Sequence, residues 1–384
     1  MNRPSKTLPE WGKNNCKAYS SRIIPGVSDS YDKKPIYKSE RDSKKKYISR
    51  KQLSVDDYIQ GILNQDRAIL GRAITLIESQ SFQHRNMAQK ILNQLAPQIG
   101  QSIRVGITGV PGVGKSTFIE SLGCTLLEKG HRVAVLAVDP SSSLTGGSIL
   151  GDKTRMEKLS RDRRCFIRPS PSSGTLGGVA QKTRETMMIC EAAGFDVILI
   201  ETVGVGQSEI SVRSMVDFFL LLMLANAGDE LQGIKKGIME MADAILINKA
   251  DGDNKTRSES AKNEFERALH YIQPTTSDWR VHAYTCSSMT GEGIPEIWDI
   301  VKSYCHTTKA SGTFFEKRKK QSLEWFYSLI EDQLKNMFYH HPDVKSKLPQ
   351  IEQDLSECRY TPYHAVSQVM KTYQSQPLDF DNIP

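Results

Sequence analysis

The sequence predicts an α/β protein with a mostly parallel central sheet, flanked by helical extensions on its N-terminal and C-terminal sides. Three observations predict it. Between 103 and about 305, short apolar runs alternate with amphipathic stretches, the pattern of parallel strands joined by crossover helices. A glycine-rich loop joins the first of those runs to the first of those helices. Before residue 100 and after 312, apolar residues recur every three or four positions with no strand signal between them.

Residues 1–51 form a Ser/Lys-rich basic tail without apolar periodicity, which reads as solvated and disordered. Ser54-Val55-Asp56-Asp57 has the composition of a helix cap. Ile59, Ile62, Leu63, Ile69, Leu70, Ala73, Ile74 and Ile77 continue a helical face, so 52–100 is expected to be helical, ending near Pro97 and Gly100. A domain from 101 to 305 opens with the buried strand Ile103 to Ile107 and the helix Thr117 to Leu127. Further strands are expected at Val133 to Val138, Val197 to Ile200, Phe218 to Leu224, Ala244 to Ile247 and Val281 to Tyr284. Residues 306–384 read as a helical extension. There Phe315, Leu323, Phe326, Leu329, Ile330, Leu334 and Phe338 make a long stripe, to be buried either on the chain's own domain or in a dimer seam. A last helix is expected near Tyr363 to Tyr373.

The loop after the first strand, Gly109-Val110-Pro111-Gly112-Val113-Gly114-Lys115-Ser116-Thr117, fits the phosphate-cradling pattern of a P-loop in its required strand-to-helix setting. Its glycines let the backbone turn N–H groups inward at a helix N-terminus, where a polyphosphate binds. Lys115 is placed to reach the β and γ phosphates, and Ser116 to ligate Mg²⁺. Asn248-Lys249-Ala250-Asp251 follows another apolar strand, which delivers it to the carboxyl end of the sheet. An Asp there accepts hydrogen bonds from the ring N–H and exocyclic amine of guanine. Adenine presents an acceptor at the first of those positions, so discrimination of about 1–3 kcal/mol or more is expected. Thr285-Cys286-Ser287-Ser288 follows the strand at 281 and is placed to back the base, through Ser287 and Ser288. The motifs together define a P-loop GTPase domain with GTP/GDP and Mg²⁺ as cofactors.

Around the γ-phosphate, Glu201 ends the run Ile198-Leu199-Ile200 and is followed by Thr202-Val203-Gly204. An acid there holds Mg²⁺ directly or through water, and the Gly204 N–H senses the γ-phosphate. Gln207 is a candidate for orienting the attacking water. Asp139 ends a strand and Asp152 lies in the Gly/Ser-rich stretch that follows it; with Ser116 and Glu201 they make a candidate magnesium shell.

Composition narrows the partners. The net charge of +7 suggests nucleic acid until its location is seen: residues 1–50 hold 13 Lys/Arg against 5 Asp/Glu, which leaves the rest of the chain close to neutral. The acidic residues Glu10, Asp29, Asp32, Glu40 and Asp42 argue against a transit peptide. No apolar run approaches a membrane span. Seven cysteines without a CxxC pair fit a reducing compartment and no zinc site. A cytoplasmic protein is expected, with the mitochondrial matrix as the alternative, and with neither nucleic acid nor membrane as partner.

From about 54 to 340 the chain resembles the MeaB/ArgK family, GTPase chaperones of methylmalonyl-CoA mutase and related cobalamin-dependent acyl-CoA mutases. The resemblance is carried by Gly106-Ile107-Thr108-Gly109 through Ser116, Val138-Asp139-Pro140-Ser141-Ser142, Gly151-Asp152-Lys153-Thr154-Arg155-Met156, Arg168-Pro169-Ser170-Pro171 with Gly174-Thr175-Leu176-Gly177-Gly178, and Glu201-Thr202-Val203-Gly204-Val205-Gly206-Gln207-Ser208-Glu209. A further string, Ala227-Gly228-Asp229-Glu230-Leu231-Gln232-Gly233-Ile234-Lys235-Lys236-Gly237, resembles the family's additional switch. It implies partner coupling through Asp229, Glu230, Gln232, Lys235 and Lys236. Two positions depart from the family: Ala225-Asn226 replaces its usual Pro-Gly, and Ser288 its usual alanine. The resemblance implies a protein that binds the mutase, uses GTP to control cobalamin loading, protects or reactivates the cofactor, and forms a homodimer through its C-terminal helices. Cobalamin is assigned to the partner, because the chain has no DxHxxG motif. The competing readings are a metal-insertion accessory GTPase and an ArgK-type, transport-associated phosphotransferase. The first lacks its Cys/His tract and the second its HRD and DFG signatures.

Overall fold

The computed structural model describes residues 53–79, 81–138, 156–169, 176–202, 208–225, 236–273 and 275–374. Seven strands, β1 (Ile103–Gly109), β2 (Val133–Val138), β3 (Cys165–Arg168), β4 (Val197–Thr202), β5 (Phe218–Leu224), β6 (Ala244–Asn248) and β7 (Ala283–Thr285), form one sheet in the order β3-β2-β4-β1-β5-β6-β7. Every pairing is parallel. β1 therefore lies in the middle, with β4 on one side and β5 on the other.

Parallel strands need covering on both faces, and the alternation of side chains provides for it. Ile198 and Ile200 of β4 point into one apolar cluster, Val197 and Leu199 into the opposite one. The first face is covered by α6 (Leu176–Ala192), α7 (Ser208–Arg213) and the three N-terminal helices α1 (Val55–Leu63), α2 (Arg67–Glu78) and α3 (Phe82–Leu95). Ser54 and Asp57 form a reciprocal capping box at the start of α1, and Asp66 caps α2 through the N–H groups of Ala68 and Ile69. The second face is covered by α4 (Lys115–Glu128) and α10 (Ile294–Ser311), whose Trp298 and Tyr304 are almost wholly buried. A third cluster packs α8 (Lys236–Met241) and α9 (Lys255–Leu269) against β5 and β6.

The strand Cys165–Arg168 was not foreseen from the sequence. It is four residues long, ends on a charge, and follows α5 (Glu157–Arg161); only its edge pairing with β2, Val133 opposite Cys165, makes it a strand. β7 begins two residues later than Val281 and runs to Thr285, because its ladder starts where Ala283 meets Ile245. β4 extends to Thr202, which places Glu201 inside the sheet, opposite Ile107 of β1.

Gly312, at φ 85°, turns the chain from α10 into α11 (Thr313–His340), a helix about 42 Å long at 1.5 Å per residue. Its first turns dock at the sheet's amino edge, away from the P-loop. Arg318 makes a bidentate pair with the buried Asp217, at 2.7 Å through Nε and Nη2, and donates to the carbonyls of Gly100 and Ser102. Lys317 donates to Asp217 O and to Tyr304 Oη, and sits 3.6 Å from Asp243, which also pairs with Arg213. Beyond this anchor the stripe is not packed on the chain's own domain. Leu323, Phe326, Ile330 and Leu334 are 40–56% exposed, and only Phe314 and Gln321 of α11 are buried. α12 (Pro342–Ser356) and α13 (Pro362–Gln374) follow and pack on each other.

The anchor carries a pH signature. Lys317, Arg213 and Arg318 share two carboxylates, and burial pushes the Lys317 ammonium down from 10.5 to about 8. With the folded pKa below the unfolded one, the unfolded chain holds more protons between about pH 8 and 10.5. Stability from this group therefore rises with pH across that window, and below pH 8 its full cost is present. Relative to Lys317→Met, the parent protein is expected to gain up to about 3 kcal/mol over that range. Urea unfolding of both proteins at pH 7.5, 9 and 10.5 measures it, and parallel pH profiles would exclude a depressed lysine.

Candidate nucleotide site

The sheet brings the loops after β1, β4, β6 and β7 to one edge. Gly109 has φ 153°, and a Cβ there would lie 2.4 Å from Leu222 O of β5, so only glycine lets the loop leave the sheet at this point. Gly114 is left-handed, at φ 93°, and caps α4, so that Lys115 becomes the first helical residue two positions earlier than the sequence suggests. Between them Pro111 and Gly112 are exposed, Val110 is half-buried, and Val113 is buried in the core beneath the loop. Ser116 and Thr117 follow in the first turn, half-buried.

Lys115 folds back into its own loop, with Nζ 2.8 Å from Gly109 O and 3.3 Å from Val110 O. Burial lowers its pKa, opposed by the fields of Glu201 and Glu209. Glu209, 1% exposed near the start of α7, is a residue to which the sequence reading assigns no role. Its acidity was legible there; its nearness to Lys115 was not.

Ser116 Oγ donates to Glu201 Oε1 at 3.0 Å, so two expected metal ligands from positions 85 residues apart converge. Below them Thr202 Oγ1 donates to Thr108 Oγ1 at 2.8 Å and ties β4 to β1. Among the described residues no group of three or more His, Cys, Asp or Glu could hold a metal. Mg²⁺ does not require one, since it takes one or two protein oxygens and fills its octahedron with phosphate oxygens and water. One hydroxyl beside one carboxylate at a phosphate loop fits that donor set. Asp139, Asp152, Gly204, Gln207 and the segment with Asp229, Glu230, Gln232 and Lys235 lie outside the described residues; of Lys236, only its place at the start of α8 is described.

The base-side residues have divided roles. Ser287, fully buried, donates its hydroxyl to Asp251 Oδ2 and accepts from Thr290 N–H, which fixes the carboxylate's orientation. Asn248 joins loops: its Nδ2 donates to Val113 O at 2.9 Å, and its Oδ1 accepts from the Ser288 N–H and hydroxyl and from Cys286 Sγ. Ser288 thus turns toward Asn248. Lys249, at φ 62°, reaches across to the P-loop and donates to Gly112 O at 2.8 Å. The strand end that carries Asn248 and Lys249 and the phosphate loop are one hydrogen-bonded unit.

The family model described as methylmalonyl Co-A mutase-associated GTPase MeaB matches residues 70–343. A probable GTPase of Mycobacterium tuberculosis is 49% identical over 318 residues, covering 83% of this chain and 95% of that protein. The mouse methylmalonic aciduria type A homolog, a mitochondrial protein, is 44% identical over 337 residues, covering 85% and 81%. Among solved structures, a LAO/AO transport system kinase superposes with TM-score 0.67 at 37% identity, covering 84% of this chain and 98% of its own.

Proposed function

The chain belongs to the MeaB family of methylmalonyl-CoA mutase-associated GTPases and is itself a P-loop GTPase; from that premise we propose that it is a GTP-driven chaperone that gates cobalamin loading and protects or reactivates methylmalonyl-CoA mutase or a related acyl-CoA mutase. The observation that carries the reading is the joining of the P-loop to the guanine reader through Asn248 and Lys249, within a chain matched by this family over 70–343. The mouse relative's name, methylmalonic aciduria type A homolog, supports the same partner.

In this reading Lys115 exchanges its loop carbonyls for β and γ phosphate oxygens, while the loop's N–H groups hold the remaining charge. Ser116 and Glu201 would hold Mg²⁺, with Asp139 and Asp152 as the further candidates to reach it directly or through its waters. The metal supplies neutralisation of phosphate charge when bound. Gly204 senses the γ-phosphate and Gln207 orients water. The exposed stripe of α11, Leu323, Phe326, Ile330 and Leu334, is the surface a homodimer would cover. No helix among the described residues is long and apolar enough to cross a membrane. The acidic residues in the tail favour the cytoplasm, and the mitochondrial relative keeps the matrix as the alternative. A second reading, a phosphotransferase, follows from the name of the transport system kinase. Transfer of the γ-phosphate to an acceptor protein, rather than release as inorganic phosphate, would favour it.

The test of the chaperone role is partner stimulation. Purified mutase is expected to accelerate GTP turnover, by binding the GTP-bound state more tightly than the GDP-bound one. Asp229→Ala and Lys235→Ala, in the segment that resembles the additional switch, are expected to keep basal hydrolysis and to lose most of that acceleration. Equal stimulation of variants and parent would remove the switch assignment, and no stimulation of the parent would remove the partner.

A further inference from the structure

Ser116 and Glu201 reach each other from different strands. Ser116 stands in α4, behind the loop that leaves β1, and Glu201 stands in β4, yet Ser116 Oγ lies 3.0 Å from Glu201 Oε1. A side chain on a strand end moves with its backbone. The separation of these two groups is therefore only as constant as the junction between β1 and β4.

That junction is short at the nucleotide edge. The register of β1 on β4 runs from Ile103 opposite Val197 to Ile107 opposite Glu201 and ends there. Each strand then continues in register on its outer side: β4 stays paired with β2 as far as Thr202 opposite Val138, and β1 with β5 as far as Gly109 opposite Leu222. The sheet thus begins to part between β4 and β1 at the level of Glu201, where β1 gives way to the phosphate loop. One residue past the last register pair, Thr202 Oγ1 donates to Thr108 Oγ1 at 2.8 Å, so a side-chain bond fastens the two strands where their register has ended.

Both threonines are only 1% exposed. They lie on the face opposite to Glu201: two residues before Thr108, Gly106 meets Val212, Val216 and Phe219 of the first apolar cluster, whereas Ile107, the register partner of Glu201, points into the second. Neither hydroxyl can therefore touch a metal held by Ser116 and Glu201, and the pair can act on it only through the strands. Stability alone does not call for hydroxyls here. Two valines have the same shape and suit a strand, and replacing both partners of a buried hydrogen bond by apolar groups of that shape is close to neutral. What valines lack is a fixed separation. Mg²⁺ demands a near-ideal octahedron at about 2.0–2.1 Å, and ligands for such a site must be held to within about 0.5 Å.

We propose that Thr108 and Thr202 are positioning residues for the metal: their hydroxyl bond closes the parting between β1 and β4 and sets the Ser116–Glu201 separation at which Mg²⁺ is held. The inference rests on the assignment of Mg²⁺ to Ser116 and Glu201, and is independent of the mutase.

The test uses Mn²⁺ as the probe, titrated into the full-length protein saturated with guanylyl imidodiphosphate, with free metal read by electron paramagnetic resonance. Urea unfolding without nucleotide gives the stability of each variant. Thr202→Val removes the donor and leaves the Thr108 oxygen unpaired, so it is expected to lose stability and to bind Mn²⁺ about tenfold more weakly. Thr108→Val and Thr202→Val together leave no polar atom of the pair behind; stability is expected to return toward that of the parent while Mn²⁺ binding stays about tenfold weaker. Thr202→Ser keeps the hydroxyl and is expected to bind the metal as the parent does. Glu201→Gln tests the metal assignment itself and is expected to weaken Mn²⁺ more than any of these. If Glu201→Gln binds Mn²⁺ like the parent, the metal assignment falls and the inference with it. If Glu201→Gln weakens Mn²⁺ and the double valine variant does not, the assignment stands and the hydroxyl pair serves the fold alone, which overturns the proposal. Should Thr202→Val fail to fold, the double variant and Thr202→Ser decide.

Discussion

Lys115→Ala is expected to lower kcat for GTP by about 10²–10³-fold or more, the loss usual when one preorganised charge or donor is removed from a transition state. The ammonium sits at the mouth of α4, inside a loop whose turns need the glycines at 109 and 114 and whose tip also bonds Asn248 and Lys249. The effect on folding is expected to be small for a reason the sequence did not supply. The residue is buried, so its truncation removes two hydrogen bonds to loop carbonyls and at the same time relieves the desolvation that lowers its pKa. These terms oppose one another, and the nucleotide-free variant should melt within a few degrees of the parent. Phosphate release under saturating GTP and a thermal melt without nucleotide measure the two effects. A variant that hydrolyses GTP normally removes Lys115 from the site, and one that is unfolded without nucleotide makes it structural.

Asp251→Asn is expected to weaken GDP by about 10- to 100-fold and to make xanthosine diphosphate the better ligand. Guanine offers two donors on the edge that Asp251 is proposed to read, and an asparagine amide would place its own donor against one of them. Xanthine carries a carbonyl in place of the exocyclic amine and accepts that donor. Ser287 makes the exchange a clean test, because its hydroxyl holds Asp251 Oδ2 from a buried position and can also pair with an amide at the same place. Titration of both diphosphates into both proteins reads the switch. Unchanged GDP affinity in the variant would mean that another residue selects the base.

The parts of the site legible in the sequence are those fixed by backbone requirements or by local spacing. Gly109, Gly114 and Lys115 are readable because a phosphate loop demands particular φ values and a helix start in a fixed order along the chain. The sheet strands are readable because each buried parallel strand is a short apolar run, and the strand Cys165–Arg168 escaped because an edge strand carries less of that signal. The cap at Ser54 is readable because both its bonds join it to Asp57, three residues on.

What only the tertiary structure decided are contacts whose partners lie far apart along the chain. Asn248 has the composition of a base reader, yet its amide is used to bind the P-loop to Ser288, 40 residues on. The stripe of α11 has the periodicity of a buried helix face and remains exposed, because Lys317, Arg318 and Gln321 fix the helix at its first turns and direct the rest away from the sheet. Arg184 is one of many arginines in the sequence; its burial against the carbonyls of Gln321 and Ser214 follows from where α6, Ser214 and α11 meet. Periodicity and glycine placement are local properties that a chain carries before it folds. The pairing of a charge depends on which distant backbone is brought beside it, and so by itself the sequence determined six of the seven strands, the phosphate loop and the Asn248–Asp251 motif, while packing alone decided the edge strand Cys165–Arg168 and which polar groups bond the loops to one another.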